Sequence, residues 1–187
     1  MEAIALAIPF FVSAYIYKAT QRTLACKCTE KDYQKLLKSA ARAKLAYLSP
    51  EEVEELYKKP VPTNTFENWM LPQLTSLPTF ITSKGGVEDA QAYVWKDQDV
   101  LYISYRGTSS IQDALADLKV CTHWLNNSVC VHEGFWRQFK SIEEDVQSHI
   151  TGDVKMICMG GHSMGAACAQ LAAVVFADRF PNVKFVC

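Results

Sequence analysis

The stretch Gly160-Gly161-His162-Ser163-Met164-Gly165-Ala166-Ala167 sets a serine between two glycines, with one residue intervening on each side. The apolar run Val154–Met159 precedes it and the alanine-rich run Ala166–Ala177 follows it. That order fits a strand that turns sharply into a helix. Gly161, Gly165 and Ala166 are small enough for such a turn, which lifts the serine above the sheet edge at the positive end of a helix dipole. Ser163 is therefore a candidate nucleophile for acyl transfer. An ordinary strand–helix turn capped by Ser163 is the alternative, but it gives no reason for small residues on both sides.

A tetrahedral acyl-transfer intermediate needs hydrogen-bond donors for its oxyanion. The backbone N–H of Met164, the residue after the serine, is the first candidate. A second normally comes from a loop after an earlier strand, and Arg106-Gly107-Thr108 is such a loop. Thr108 offers both its N–H and its hydroxyl. The serine also needs a base, and the base an orienting carboxylate. The histidines are His123, His132, His149 and His162, and none follows Ser163; Asp178 is the one aspartate that does. His162 adjoins the serine, so its side chain is expected to leave the turn in another direction, in a packing or hydrogen-bonding role. His132 is a minor candidate base. His123 and His149 have no supporting context, and Asp178 reads as solvated near a helix end.

The elements that must position these groups follow from periodicity. A helix is expected from about Thr29, with Tyr33, Leu36, Leu37, Ala40 and Tyr47 on one apolar face. Ser49-Pro50-Glu51-Glu52 begins a second helix, with serine as cap, proline in the first turn and Glu52 completing a capping box. Residues 60–78 carry four prolines and read as irregular chain. Ala92–Trp95 and Val100–Tyr105 form a strand pair about a turn at Asp97-Gln98-Asp99. A helix over Glu133–Ile150 presents Phe135, Phe139, Ile142 and Val146 on one side. Val154–Met159 has the composition of a buried parallel strand. The helix after Ser163 runs to about Arg179, and Val183–Cys187 begins another strand. This alternation predicts an α/β fold.

Tyr105-Arg-Gly-Thr-Ser-Ser-Ile-Gln-Asp-Ala-Leu-Ala-Asp-Leu118, Val131-His-Glu-Gly-Phe135 and Gly161-His-Ser-Met-Gly-Ala-Ala167, in that order, resemble the class 3 lipases, the fungal-type triacylglycerol lipases of the α/β-hydrolase fold. The resemblance covers roughly residues 30–187. It implies that Ser163 is the nucleophile, Thr108 the first oxyanion residue and Met164 the second donor. Ser109–Leu118, with Ser109, Ser110, Ile111 and Leu115, matches the helix that lids the site. Ala114 stands where some members place a tryptophan. Asp117 reads as structural, a candidate partner for Arg106. In this fold the order is Ser, Asp, His, so the resemblance implies that the aspartate and histidine lie beyond Cys187. These 187 residues are then expected to be the N-terminal part of a longer lipase.

The whole-chain numbers suit this reading. The apolar fraction is 49% and the charged fraction 21%, as in a globular domain. A net charge of −1 and the lack of a Lys/Arg tract with interleaved aromatics give no basis for nucleic-acid binding. Seven cysteines leave at least one thiol unpaired within the chain. Cys158 and Cys168 read as small buried hydrophobes, and a Cys121–Cys130 bridge stays open. Cys26-x-Cys28 lacks a second ligand pair, so no metal is expected, and no organic cofactor either. Ala3–Tyr17 is an uncharged 15-residue apolar run, short for a bilayer span, with Lys18, Arg22 and Lys27 after it. It reads as a membrane anchor, an atypical signal or a buried helix, and Cys26 and Cys28 beside it are candidate acylation sites. Residues 1–28 are thus expected to be a separate anchor or signal, with membrane association, and residues 29–187 the lipase-like domain, incomplete at its C-terminus. The expected activity is hydrolysis of acylglycerols or related esters through an acyl-enzyme on Ser163. A catalytically inactive lipase-like binding or scaffold protein is the competing reading.

Overall fold

Alternation within single strands divides the core in two. In the computed structural model, which describes residues 30–59, 74–84, 89–107, 122–124 and 130–187, strand β2 (Gln91–Asp97) buries four residues in succession. Ala92 and Val94 join one apolar cluster, and Tyr93 and Trp95 join another on the opposite face. A sheet covered on both faces requires such continuous apolar runs.

The chain forms two compact units, residues 1–36 and 37–187. Helix α1 (Glu30–Leu45) is followed by helix α2 (Pro50–Lys58). At α2 the expected capping box is present: Ser49 Oγ accepts from Glu52 N–H at 3.2 Å, and the Glu52 carboxylate accepts from Ser49 N–H at 2.7 Å. The expected α1 face is displaced. Ala40 is exposed, while Ala41 and Leu45 are buried. Tyr47 lies beyond the helix in the link to α2, where its hydroxyl has polar partners that an apolar face would not give it.

Strands β1 (Thr79–Thr82), β2 and β3 (Val100–Tyr105) form an antiparallel meander. The β2–β3 turn is tighter than expected, because Asp97 pairs with Val100 and leaves two residues, with Gln98 at φ 54°. A small antiparallel pair, β4 (Thr122–Trp124) with β5 (Cys130–His132), precedes helix α3 (Glu133–Gln147). Strand β6 (Met156–Gly161) then pairs in parallel with β3, helix α4 (Met164–Arg179) follows, and β7 (Lys184–Val186) pairs in parallel with β6. The order β1-β2-β3-β6-β7 is thus antiparallel on one side and parallel on the other.

Two boundaries depart from expectation. Helix α3 ends at Gln147, three residues early, where the bonds His149 N–H to Val146 O and Ile150 N–H to Gln147 O tighten the chain into a turn. Strand β6 starts two residues late, since Val154 N–H bonds Thr151 O in a turn. It also runs two residues further, through Gly160 and Gly161, which pair with Ser104 and Tyr105. On one sheet face Phe139 and Phe176 from α3 and α4 pack edge-on at 5.9 Å, both fully buried. Burial of each stabilises the fold by about 1.5–3 kcal/mol. On the other face Leu45 and Val53 pack with Tyr93 and Trp95.

Candidate active site at the β6–α4 turn

Strands β3 and β6 run parallel and end side by side, with Tyr105 paired to Gly161. The loops leaving them, Arg106–Gly107 and His162–Ser163, therefore emerge together at the carboxyl ends of the strands, the usual ligand edge of an open α/β sheet. The register alone brings the loop before Thr108 to the serine. Thr108, Ser109, Ser110, Ile111 and Leu115, together with Asp117, lie outside the described residues.

Ser163 stands at the N-terminus of α4 with φ 56° and ψ −124°, a conformation that serine rarely adopts. It is exposed, and its side chain makes no capping hydrogen bond, so the simple-cap alternative has no support here. The chain closes the turn by backbone bonds, from Gly165 N–H to His162 O and from Ala166 N–H to Ser163 O, each 3.0 Å. Met164 is the first helical residue, so its N–H has no partner within the helix and points out of its end.

Both glycines are required by close approach. A Cβ on Gly161 would lie 2.8 Å from Tyr105 O and closer still to the Gly165 carbonyl carbon. A Cβ on Gly165 would press on the Tyr105 carbonyl oxygen and lie 2.9 Å from the Arg106 carbonyl carbon. The elbow thus rests directly on the end of β3. Arg106 is held by Gln91, through a short guanidinium–amide contact and a 2.9 Å bond from Arg106 N–H to Gln91 O.

None of the four histidines is hydrogen-bonded to Ser163 among the described residues. Nδ1 of His162 lies 3.0 Å from the Tyr47 hydroxyl, as its expected hydrogen-bonding role requires. His132 caps α3, its Nδ1 accepting from Gly134 N–H at 3.1 Å, and its ring packs on Phe135. His123 stacks on Trp136 and faces Glu133 at 3.4 Å. His149 lies half-buried in the turn after α3. Burial raises the Tyr47 pKa, against the opposing effects of a Gly107 N–H hydrogen bond and the Arg106 charge. Spacing alone puts Tyr47 on a helix face. Its contact with a residue 115 positions away leaves no local signal in the sequence.

Among the described residues no three of His, Cys, Asp and Glu come together as a metal site. Cys130, Cys158, Cys168 and Cys187 are free thiols, while Cys121 lies outside the described residues. No described helix is long and apolar enough to cross a membrane, and Ala3–Tyr17, with Cys26 and Cys28, also lies outside them.

Residues 102–186 match the family model for lipase (class 3). No curated protein matches the sequence. Among solved structures, Rhizomucor miehei triacylglyceride lipase aligns with a TM-score of 0.60 at 18% identity, over 84% of this chain and 61% of its own. The lipase of Rhizopus microsporus var. chinensis gives 0.61 at 22%, over 84% and 57%. Lipase II from Rhizopus niveus gives 0.60 at 24%, over 84% and 61%. The fold is that of the fungal lipases, α/β-hydrolase-like, and the chain spans about three-fifths of the length of these structures.

Proposed function

From the match of residues 102–186 to the class 3 lipase model, we propose a serine ester hydrolase that acts on acylglycerols or related lipids. The observation that carries this reading is the backbone of Ser163, at φ 56° and ψ −124° with its hydroxyl uncommitted to a cap. A structural turn gains nothing from that conformation, whereas a nucleophile gains exposure at the positive end of a 16-residue helix. The absence of acidic residues in the first turn of α4 leaves that positive end unopposed.

In the proposed reaction Ser163 Oγ attacks the acyl carbonyl carbon, and the hydroxyl proton passes to a base. The oxyanion takes hydrogen bonds from Met164 N–H and from Thr108. Collapse expels the alcohol, reprotonated by the same base, and leaves an acyl-enzyme that water hydrolyses. Removing one oxyanion donor of this kind costs about 10²–10³ in rate. The reading needs an imidazole at Ser163 beyond the four described, each placed elsewhere. Ser109, Ser110, Ile111 and Leu115 are proposed to cover the acyl group, and Ala3–Tyr17 to bring the protein to a lipid surface.

One observation favours the second reading, an inactive binding or scaffold protein: Ser163 has no histidine partner among the described residues. A p-nitrophenyl alkylphosphonate, applied to the protein as isolated from its source, separates the two, because it reacts with an activated serine and leaves a stable adduct. Intact-mass analysis is expected to show one adduct per chain, on Ser163, and none on Ser163→Ala. Equal labelling of both, or of neither, would favour the scaffold.

A further inference from the structure

The Tyr47 hydroxyl sits where the two loops of the site meet. It lies 3.0 Å from His162 Nδ1, beside the nucleophile. It accepts a hydrogen bond from the Gly107 N–H, next to Thr108. The approach is tight: a Cβ on Gly107 would fall 2.5 Å from the Tyr47 hydroxyl oxygen and closer still to the His162 carbonyl oxygen. Gly107 is thus in contact with the tyrosine and the elbow at once.

Hydrogen-bond capacity assigns the protons. The phenolic oxygen accepts from Gly107 N–H, so its own proton is available for His162 Nδ1. His162 then carries its proton on Nε2, on a residue exposed to solvent. The tyrosine itself is anchored. Tyr47 N–H bonds Lys44 O at 3.0 Å, and the next residue, Leu48, accepts from the Tyr93 hydroxyl of β2 at 3.0 Å. The Arg106 guanidinium lies over the Tyr47 ring, 5.8 Å from its centroid.

We propose that Tyr47 is a positioning residue whose hydroxyl ties the Gly107 loop to the His162 elbow, fixing the end of that loop relative to the Met164 N–H. This rests on the hydrolase reading above, with one part independent of it: the tie exists whether or not Ser163 reacts. Oxyanion donors act only within a narrow geometry, and a displacement of about 1 Å can cost about 10²-fold. The tie at His162 acts two residues from the Met164 donor.

The test compares Tyr47→Phe, His162→Leu and His162→Asn with the unmodified protein as isolated from its source. Phosphonylation of Ser163 is resolved into its first-order step and its apparent affinity. Tyr47→Phe is expected to slow the first-order step about 10- to 100-fold with affinity little changed. His162→Leu is expected to match it, and the double variant to be no slower than either single one, because both remove the same tie. His162→Asn, whose amide oxygen stands near the place of Nδ1 and accepts the Tyr47 proton, is expected to stay within about threefold. A merely structural role would not give that rescue. The second readout is hydrogen exchange at the Gly107 amide, expected to quicken at least about tenfold in Tyr47→Phe. Unchanged exchange, or labelling of Tyr47→Phe at the original rate, overturns the proposal. Absence of labelling in the unmodified protein as isolated from its source would sink the hydrolase reading, and the Gly107 exchange rate would still decide the tie.

Discussion

Ser163 holds its place against its own backbone preference. At φ 56° and ψ −124° it costs about 1–3 kcal/mol relative to relaxed geometry, and no side-chain cap bond offsets this. The surroundings impose it, since Gly161 and Gly165 press on each other and on the end of β3. Glycine adopts positive φ without strain, and alanine does not. Ser163→Gly is therefore expected to be more stable than Ser163→Ala by about 1 kcal/mol, after the 0.5–1 kcal/mol or so of extra entropy that glycine loses on folding. Urea denaturation of the two variants checks this, and an alanine variant as stable as the glycine one would mean that the turn carries no strain. The residue types announced this much, for small neighbours around a serine between a strand and a helix have few other uses. Tyr47 was not legible in the same way. Its hydroxyl serves contacts at Gly107 and His162 that exist only once the sheet has brought distant segments together.

At the scale of elements, α3 and α4 share a buried carboxylate. Glu143 of α3 is only 1% exposed, with Arg179 Nη2 at the end of α4 2.7 Å away and Lys140 in short contact. Removing one partner of a buried pair strands a charge, whereas replacing the pair with apolar groups is often neutral. Arg179 is partly exposed, so Arg179→Met is expected to cost about 2 kcal/mol, short of the 3–5 kcal/mol typical of a fully buried pair. Glu143→Leu with Arg179→Met is expected to recover most of that loss. Thermal unfolding of the single and double variants measures it, and additive losses would show that the two residues act separately. The helices carrying this pair were legible because their apolar faces repeat at helical spacing. Strand β1 and the β4–β5 pair were not read, being three or four residues each, too short for a period to show. The shift from Ala40 to Ala41 on α1 has a similar origin, because alanine fits either face and only tertiary packing decides which is buried.

At the scale of the molecule, a sheet covered on both faces encloses groups that are neutral only below alkaline pH. Alternation of apolar runs and helices sufficed to anticipate this α/β architecture, but which polar groups end up inside depends on the packing of both layers. Burial pushes Tyr93 from 10.0 up to about 12, helped by the charges of Glu51 and Glu52 and opposed by Arg106. It raises Cys168 from 9.0 to about 12 and drives Tyr105 well above 10.0. In each case the folded state favours the protonated form. Below the unfolded values, 9.0 for the thiol and 10.0 for the phenols, their contribution to stability is fully present. It is lost as pH rises from there through the folded values near 12. The Tm is therefore expected to be insensitive to these groups below about pH 9 and to fall steeply between about pH 10 and 12. Tyr93 makes this more than general alkaline weakening, because its hydroxyl donates to Leu48 O, in the link that also carries Tyr47. Ionised, it can no longer donate, and the anchor of the Tyr47 tie is released. Tyr93→Phe is expected to lower the Tm at neutral pH by the loss of that bond, about 1 kcal/mol, and to flatten the fall above pH 10. Scanning calorimetry of both chains from pH 7 to 11 would show the two curves converging, and parallel curves would place the alkaline sensitivity elsewhere.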